Sequence, residues 1–290
     1  MKSFVFFSLL PIILFAQQHK IQLINKETRE PLQFVELLYN NETLFSDKNG
    51  NVFIDFNSDK IEVLDGNYKP NLIEISATTQ SIELQNSVTE LDEMVISKKP
   101  RKIINPQKKK LFKYFPVQSD GVILNEIIFN KEYQNKYLRK IYFKSLPESY
   151  IPSIDGYSSE DFKKIKNATQ ILRINIFDTD KKLLFSSKPI EFISKNKNFF
   201  EIDIEDDILL TDKPIFIEIQ VLGAVDEMGY FIDKKIKMSI RPEQARNAPK
   251  EYEVKIWYKI RNSKFDYLDY NKINMYKSYI NFGFELEDID

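Results

Sequence analysis

The chain has 290 residues and a formal net charge of −1; 13% of it is aromatic, with 23 Phe and 15 Tyr against 7 Gly and no Cys. The absence of cysteine excludes disulfides, thiolate metal sites and cysteine nucleophiles, and near-neutral charge without a basic aromatic groove argues against nucleic acid. So many aromatic and so few glycine residues suit packed β interiors rather than phosphate-binding loops, and the sequence has neither GxGxxG nor a P-loop.

The first residues read as an export signal. Lys2 supplies the positive start, Phe4–Phe15 forms an apolar core broken only by Ser8 and Pro11, and Leu14-Phe15-Ala16 ends on a small residue. That run is shorter than the roughly 18–20 residues that cross a bilayer. A signal peptide over 1–16 is therefore expected, giving a mature chain from Gln17 without a transmembrane span. The expected location is the periplasm, the outer-membrane periphery or the cell exterior.

Short alternating pieces follow. Ile21 and Leu23 open the first, and Phe34–Tyr39 makes a second after the Glu30-Pro31 break. Leu44-Phe45 precedes Asp47-Lys48-Asn49-Gly50, a turn in which Gly50 takes positive φ at little cost. Val52, Ile54 and Phe56 are expected on one face, with Phe53 and Asp55 opposite. Ile61–Leu64, the turn Asp65-Gly66-Asn67-Tyr68, Leu72–Ile75, Ser81–Leu84 and Met94–Ile96 complete the series. Short strands at this spacing indicate an antiparallel sandwich.

Four signals in order, Thr28-Arg29-Glu30-Pro31-Leu32, Ser46–Val52, Gly66-Asn67-Tyr68 and Leu91-Asp92-Glu93-Met94-Val95-Ile96, make residues 19–97 resemble the carboxypeptidase-regulatory-like domain. The resemblance implies a transthyretin-like (Ig-like) β-sandwich of the kind that opens exported and outer-membrane proteins of the Bacteroidetes type, TonB-dependent receptors included. It also implies an envelope location beside an outer-membrane or envelope partner. Arg29 stands where that family often has glycine, and the glycine before its first strand is missing.

Charge is divided sharply along the chain. Gln17–Ile96 carries 6 basic and 14 acidic residues, whereas Ser97–Lys110 carries 7 basic and none acidic. With Pro100 and Pro106 inside it, the segment 98–110 reads as a basic linker between domains 17–97 and 111–290.

The second domain is again a series of strands: Val122–Phe129, Tyr137–Lys144, Gln170–Phe177, Leu183–Phe185, Ile190–Ile193, Phe199–Ile204, Ile215–Leu222, Tyr252–Ile260 and Tyr276–Phe284. Asp178-Thr179-Asp180-Lys181 suits a hairpin turn, Asp161–Lys166 a brief helix and Arg241–Lys250 a polar loop. The chain is thus expected to be all-β, a transthyretin-like sandwich followed by a larger jelly-roll-like one. Ile171–Asp178, Phe199–Ile204 and Ile215–Val221 resemble the galactose-binding-like jelly rolls.

Catalytic chemistry finds little support. The lone histidine, His19, is expected to be a solvated terminal residue, so triads, paired-histidine metal sites and a histidine base all lack a member. No cofactor is implied. The densest carboxylates are Asp178 with Asp180, and Glu201, Asp203, Glu205, Asp206 and Asp207. Such groups serve a glycosidase or a Ca²⁺ site, but Glu201, Asp203 and Glu205 alternate with Ile202 and Ile204 as on the wet face of a strand, and Asp206-Asp207 is expected to enter a turn. Trp257 and Tyr258, with Tyr267 and Tyr270 in the following loop, are the candidate ligand-binding residues, since aromatic platforms bind sugars. On that strand Trp257 alternates with Lys255 and Lys259, and Tyr258 falls in the inward set with Val254, Ile256 and Ile260. The sequence therefore favours a non-enzymatic, exported binding or accessory protein, with a glycan-binding module and a carboxylate-dependent hydrolase as the alternatives.

Overall fold

Period-two alternation governs the chain, and its only helical element among the described residues is a 3₁₀ turn at Lys131–Tyr133. The computed structural model describes residues 18–69, 71–87, 100–106, 117–118, 121–145, 168–193, 196–232, 239–240, 242–245, 249–260, 268–269 and 279–289. The fold is all-β.

The first sandwich contains β1 (His19–Asn25), β2 (Glu36–Tyr39), β3 (Glu42–Phe45), β4 (Asn51–Ile54), β5 (Lys60–Val63), β6 (Leu72–Glu74) and β7 (Ser81–Leu84). One sheet runs β4-β1-β7, with β1 and β7 parallel, and the other runs β3-β2-β5-β6. Ile21, Leu23, Leu37, Val52, Ile54, Ile61, Val63 and Leu84 fill the space between them. The Asp47–Gly50 turn forms as its residues dictate. Asp47 Oδ1 accepts from the Asn49 and Asn51 amides, and Gly50 has φ +74°, where a Cβ would lie 2.7 Å from the Leu23 carbonyl.

The larger sandwich contains β8 (Arg101–Ile104), β9 (Val117–Gln118), β10 (Gly121–Phe129), β11 (Lys136–Ser145), β12 (Thr169–Phe177), β13 (Leu183–Ser186), β14 (Ile190–Ile193) and β15 (Asn198–Leu210). It continues through β16 (Ile215–Val225), β17 (Ser239–Ile240), β18 (Gln244–Ala245), β19 (Tyr252–Ile260), β20 (Leu268–Asp269), β21 (Tyr279–Ile280) and β22 (Gly283–Asp288). A seven-stranded sheet runs β13-β12-β16-β10-β19-β20, with β14 also on β12; a four-stranded sheet runs β15-β11-β22-β8. Their inner faces share a core that includes Ile123, Ile127, Ile174, Ile217, Ile219 and Ile256 from the first sheet and Leu138, Ile141, Phe143, Ile202, Phe284 and Leu286 from the second.

Several elements differ from the sequence reading. Arg101–Ile104, inside the expected linker, is strand β8, paired with β22 from Arg101↔Glu287 to Ile104↔Phe284. Arg101 is neutralised there, its Nη1 2.5 Å from Glu285, while Lys102 Nζ lies 3.8 Å from Glu132 in the 3₁₀ turn, and Ile104 is buried. Phe56 is exposed, because β4 ends at Ile54 and the chain leaves the sheet before it. β15 continues through Asp206-Asp207 to Leu210 instead of turning there. Gln244–Ala245, in the expected polar loop, is β18, and the expected Tyr276–Phe284 strand contains β21 and the start of β22. His19 is a strand residue whose Nε2 lies 2.6 Å from the Thr79 carbonyl oxygen. The export signal, Met94–Ile96 and the Asp161–Lys166 helix lie outside the described residues.

Candidate functional site

On the seven-stranded sheet, strand alternation sends one set of residues to the core and the other to the outer face. The outer set includes Arg173, Asn175 and Phe177 of β12, opposite Gln220, Glu218 and Phe216 of β16, with Leu124 and Glu126 of β10 beyond. An outer face with these residues is built for water, yet Arg173, Asn175, Glu218 and Gln220 are 4%, 7%, 5% and 1% exposed. The first sandwich covers them. Phe34, Ile171, Leu222 and Val225 form an apolar cluster between the sandwiches, with Phe45 and Phe231 packed against it. Beside that cluster Arg173 donates from Nη1 to Asp65 Oδ2 at 2.8 Å and from Nη2 to the Phe34 carbonyl at 2.9 Å. At the edge, Lys48 Nζ lies 2.6 Å from Glu191.

The two sandwiches do not close completely. Between them lies a cavity of about 400 Å³ whose floor is the outer face of β10, β12, β13 and β16 and whose wall is Glu36 with Leu64-Asp65-Gly66. A directional chain of hydrogen bonds crosses the floor. Ser186 Oγ donates to Asn175 Oδ1 at 2.8 Å; Asn175 Nδ2 donates to Glu218 Oε2 at 2.9 Å and Gln220 Oε1 at 3.2 Å; Gln220 Nε2 donates to Glu36 Oε2 at 2.6 Å. Apolar patches from Leu64, Val122, Leu124, Phe177 and Leu183 complete the lining. Fixed polar groups among apolar surface in a cleft are what small-molecule sites present.

One cation overhangs the floor. Lys181 sits in the β12–β13 hairpin turn, which Asp178 organises by accepting from the Asp180 and Lys182 amides at 2.8 and 2.9 Å. Its backbone is left-handed, φ +63°, a conformation that costs a side-chain-bearing residue about 1–2 kcal/mol. Its Nζ lies over the Phe216 ring. Removal from water pulls the amine down to about 8, against the opposing fields of Glu126 and Asp178.

No family model matches the chain, and no curated protein matches it. Solved structures that align with the chain include the cysteine protease and lectin-like domains of Cwp84, a surface-layer-associated protein of Clostridium difficile, at 9% identity and TM-score 0.37, covering 83% of this chain and 43% of that one. The clostridial cysteine protease Cwp84 after propeptide cleavage aligns at 10% identity and TM-score 0.36, covering 88% of this chain and 66% of that one. Likeness at this level carries no information about ligand or activity. This chain spans less than half of the first neighbour's length.

Of the four aromatic residues expected to bind ligand, Trp257 and Tyr258 are placed and Tyr267 and Tyr270 lie outside the described residues. Trp257 and Tyr258 point to opposite faces. Tyr258 packs against the core, whereas Trp257 is on the outer face, paired with Leu124 in the row that leads to Glu218, and donates to Glu126 Oε2 at 2.6 Å. The two rings therefore cannot form one platform. Glu201 and Asp203 lie on the exposed face of the other sheet, both paired with Lys140. Among the described residues no group of three or more His, Asp or Glu is placed to hold a metal ion, and no helix is long and apolar enough to cross a membrane. Sequence reading missed Arg173, Asn175, Lys181, Glu218 and Gln220. Their alternation with isoleucine is the signature of an ordinary solvated face, and only the identity of the buried partner sheet distinguishes the two cases.

Proposed function

We propose that the chain is an exported, non-enzymatic binding protein of the cell envelope whose ligand seat is the cleft between its sandwiches, and that the ligand is a small polyhydroxylated molecule of carbohydrate type. On this reading the first sandwich, the carboxypeptidase-regulatory-like module, is the wall of the site and not a separate appendage. The observation that carries the proposal is the Ser186–Asn175–Gln220–Glu36 chain, with Glu218 as its branch, buried at its centre and half-buried at its two ends, lining an open cavity. Burying a polar side chain costs free energy that an apolar sheet face would avoid. An array of alternating donors and acceptors suits a ring of hydroxyl groups, each both donor and acceptor.

Calorimetry against a carbohydrate panel tests it. Leu64, 40% exposed, borders the cavity without belonging to the hydrogen-bonded chain, so Leu64→Tyr obstructs the mouth while leaving the floor intact. Binding by the native chain and its loss in Leu64→Tyr is the expected result. Binding that survives obstruction places the ligand elsewhere and refutes the cleft.

A further inference from the structure

We propose, resting on the cleft reading above, that the preferred ligand is an acidic sugar whose carboxylate pairs with Lys181 while its hydroxyl groups lie along the Ser186–Asn175–Glu218 row. Lys181 is an exposed cation that lines the cavity. Among the described residues its Nζ has the Phe216 ring for company and no ion-pair or hydrogen-bond partner. The carboxylates that act on it are already engaged: Glu126 accepts from Trp257 and lies 3.3 Å from Lys255 Nζ, and Asp178 holds the turn amides. The turn places a lysine, not glycine or asparagine, at a left-handed position, so backbone strain is retained where a side-chain amine is presented to the cavity.

At the far end of the floor Arg173 gives Nη1 and Nη2 to the first sandwich. Arg173 and Phe177, which lies near Lys181 in the lining, are four residues apart on one strand, roughly 13 Å. A carboxylate at Lys181 with hydroxyl groups laid along the floor toward Arg173 therefore fits a uronic acid or a uronate-containing disaccharide, for which about 400 Å³ is sufficient.

Protonation gives an independent signature. The groups facing Lys181 are Glu126 from β10, Asp178 from its own turn and the neutral Phe216 from β16. A bound carboxylate favours the ammonium, so the amine, at about 8 in the free protein, rises on binding. Binding above that pH then takes up a proton, and affinity falls as pH rises through 8 to 10.

The experiment is calorimetry on the full chain with D-glucuronate, D-galacturonate, D-mannuronate and digalacturonate, each beside its neutral parent sugar, and acetate, at pH 7 and at pH 9 in two buffers of different ionisation enthalpy. At least one acidic sugar is expected to bind about tenfold or more tightly than its neutral parent, with proton uptake at pH 9. Lys181→Met is expected to reduce that preference to within about twofold and abolish the uptake, while Lys181→Arg retains the preference. Equal or better binding of the neutral sugars overturns the acidic assignment and leaves the cleft reading standing. Equal affinity for acetate removes the sugar, and no binding by any member overturns both.

Discussion

Arg173 illustrates how one side chain holds two domains. Its guanidinium crosses the interface to Asp65 with both side chains 5% exposed or less, and it also caps the Phe34 carbonyl. A buried pair adds little over a well-packed apolar pair, but removing one member strands the other's charge. Asp65→Leu is therefore expected to cost about 3–5 kcal/mol in urea denaturation, and adding Arg173→Met to recover most of it. Additive losses in the double variant contradict this account. Phe34 adds strain at the same place. Its φ is +57°, unusual for a bulky residue, and its ring is held edge-on to Phe231 at 5.7 Å.

Among the strands, β15 sets the clearest problem. It is 13 residues long and lies at the edge of the four-stranded sheet, where unpaired backbone invites another strand. Exposed Glu201, Asp203, Glu205 and Asp207 line it, and charged side chains along an edge discourage further strand pairing. Its pairing with β11 slips between Leu138 and Lys140, and Arg139 at the slip reaches Asp207 at 2.8 Å and Glu287 at 3.3 Å. Asp206 is an inward position of this irregular stretch, and its carboxyl is raised above its ordinary value, first by removal from water and then by Glu205 and Asp207. A raised carboxyl means that folding penalises the charged form, a penalty present above the folded value and absent below the unfolded one of about 3.9. Asp206→Asn should accordingly raise the urea midpoint at pH 7, and the gain should vanish below about pH 4. A gain that persists in acid assigns the effect to something other than ionisation.

At the scale of the whole molecule, the sandwiches are joined by an apolar cluster, a buried ion pair and the Gln220–Glu36 hydrogen bond, so they are expected to unfold together. Phe34→Ala removes the centre of the cluster at a cost of about 3–5 kcal/mol. Calorimetry of that variant should show the single thermal transition separating into two. A single transition at an unchanged temperature places the coupling elsewhere.

The all-β class, the strands of the first sandwich and the longer strands of the second, the Asp47–Gly50 turn and the Asp178–Lys181 hairpin follow from the sequence alone, because alternation and turn chemistry are local properties. Strands β12 and β16 were legible in the same way. What faces them was not. Arg173, Asn175, Glu218 and Gln220 alternate with isoleucine as solvent-facing residues do, and only docking of the first sandwich converts that face into a buried floor with Lys181 above it. For the same reason Trp257 was identifiable as outward while its partner Glu126 was not, and basic Arg101–Ile104 resembled a linker until β22 paired with it and supplied the counter-charge of Arg101. Strand formation is decided by neighbours in sequence; burial of a polar face is decided by what the rest of the chain lays over it.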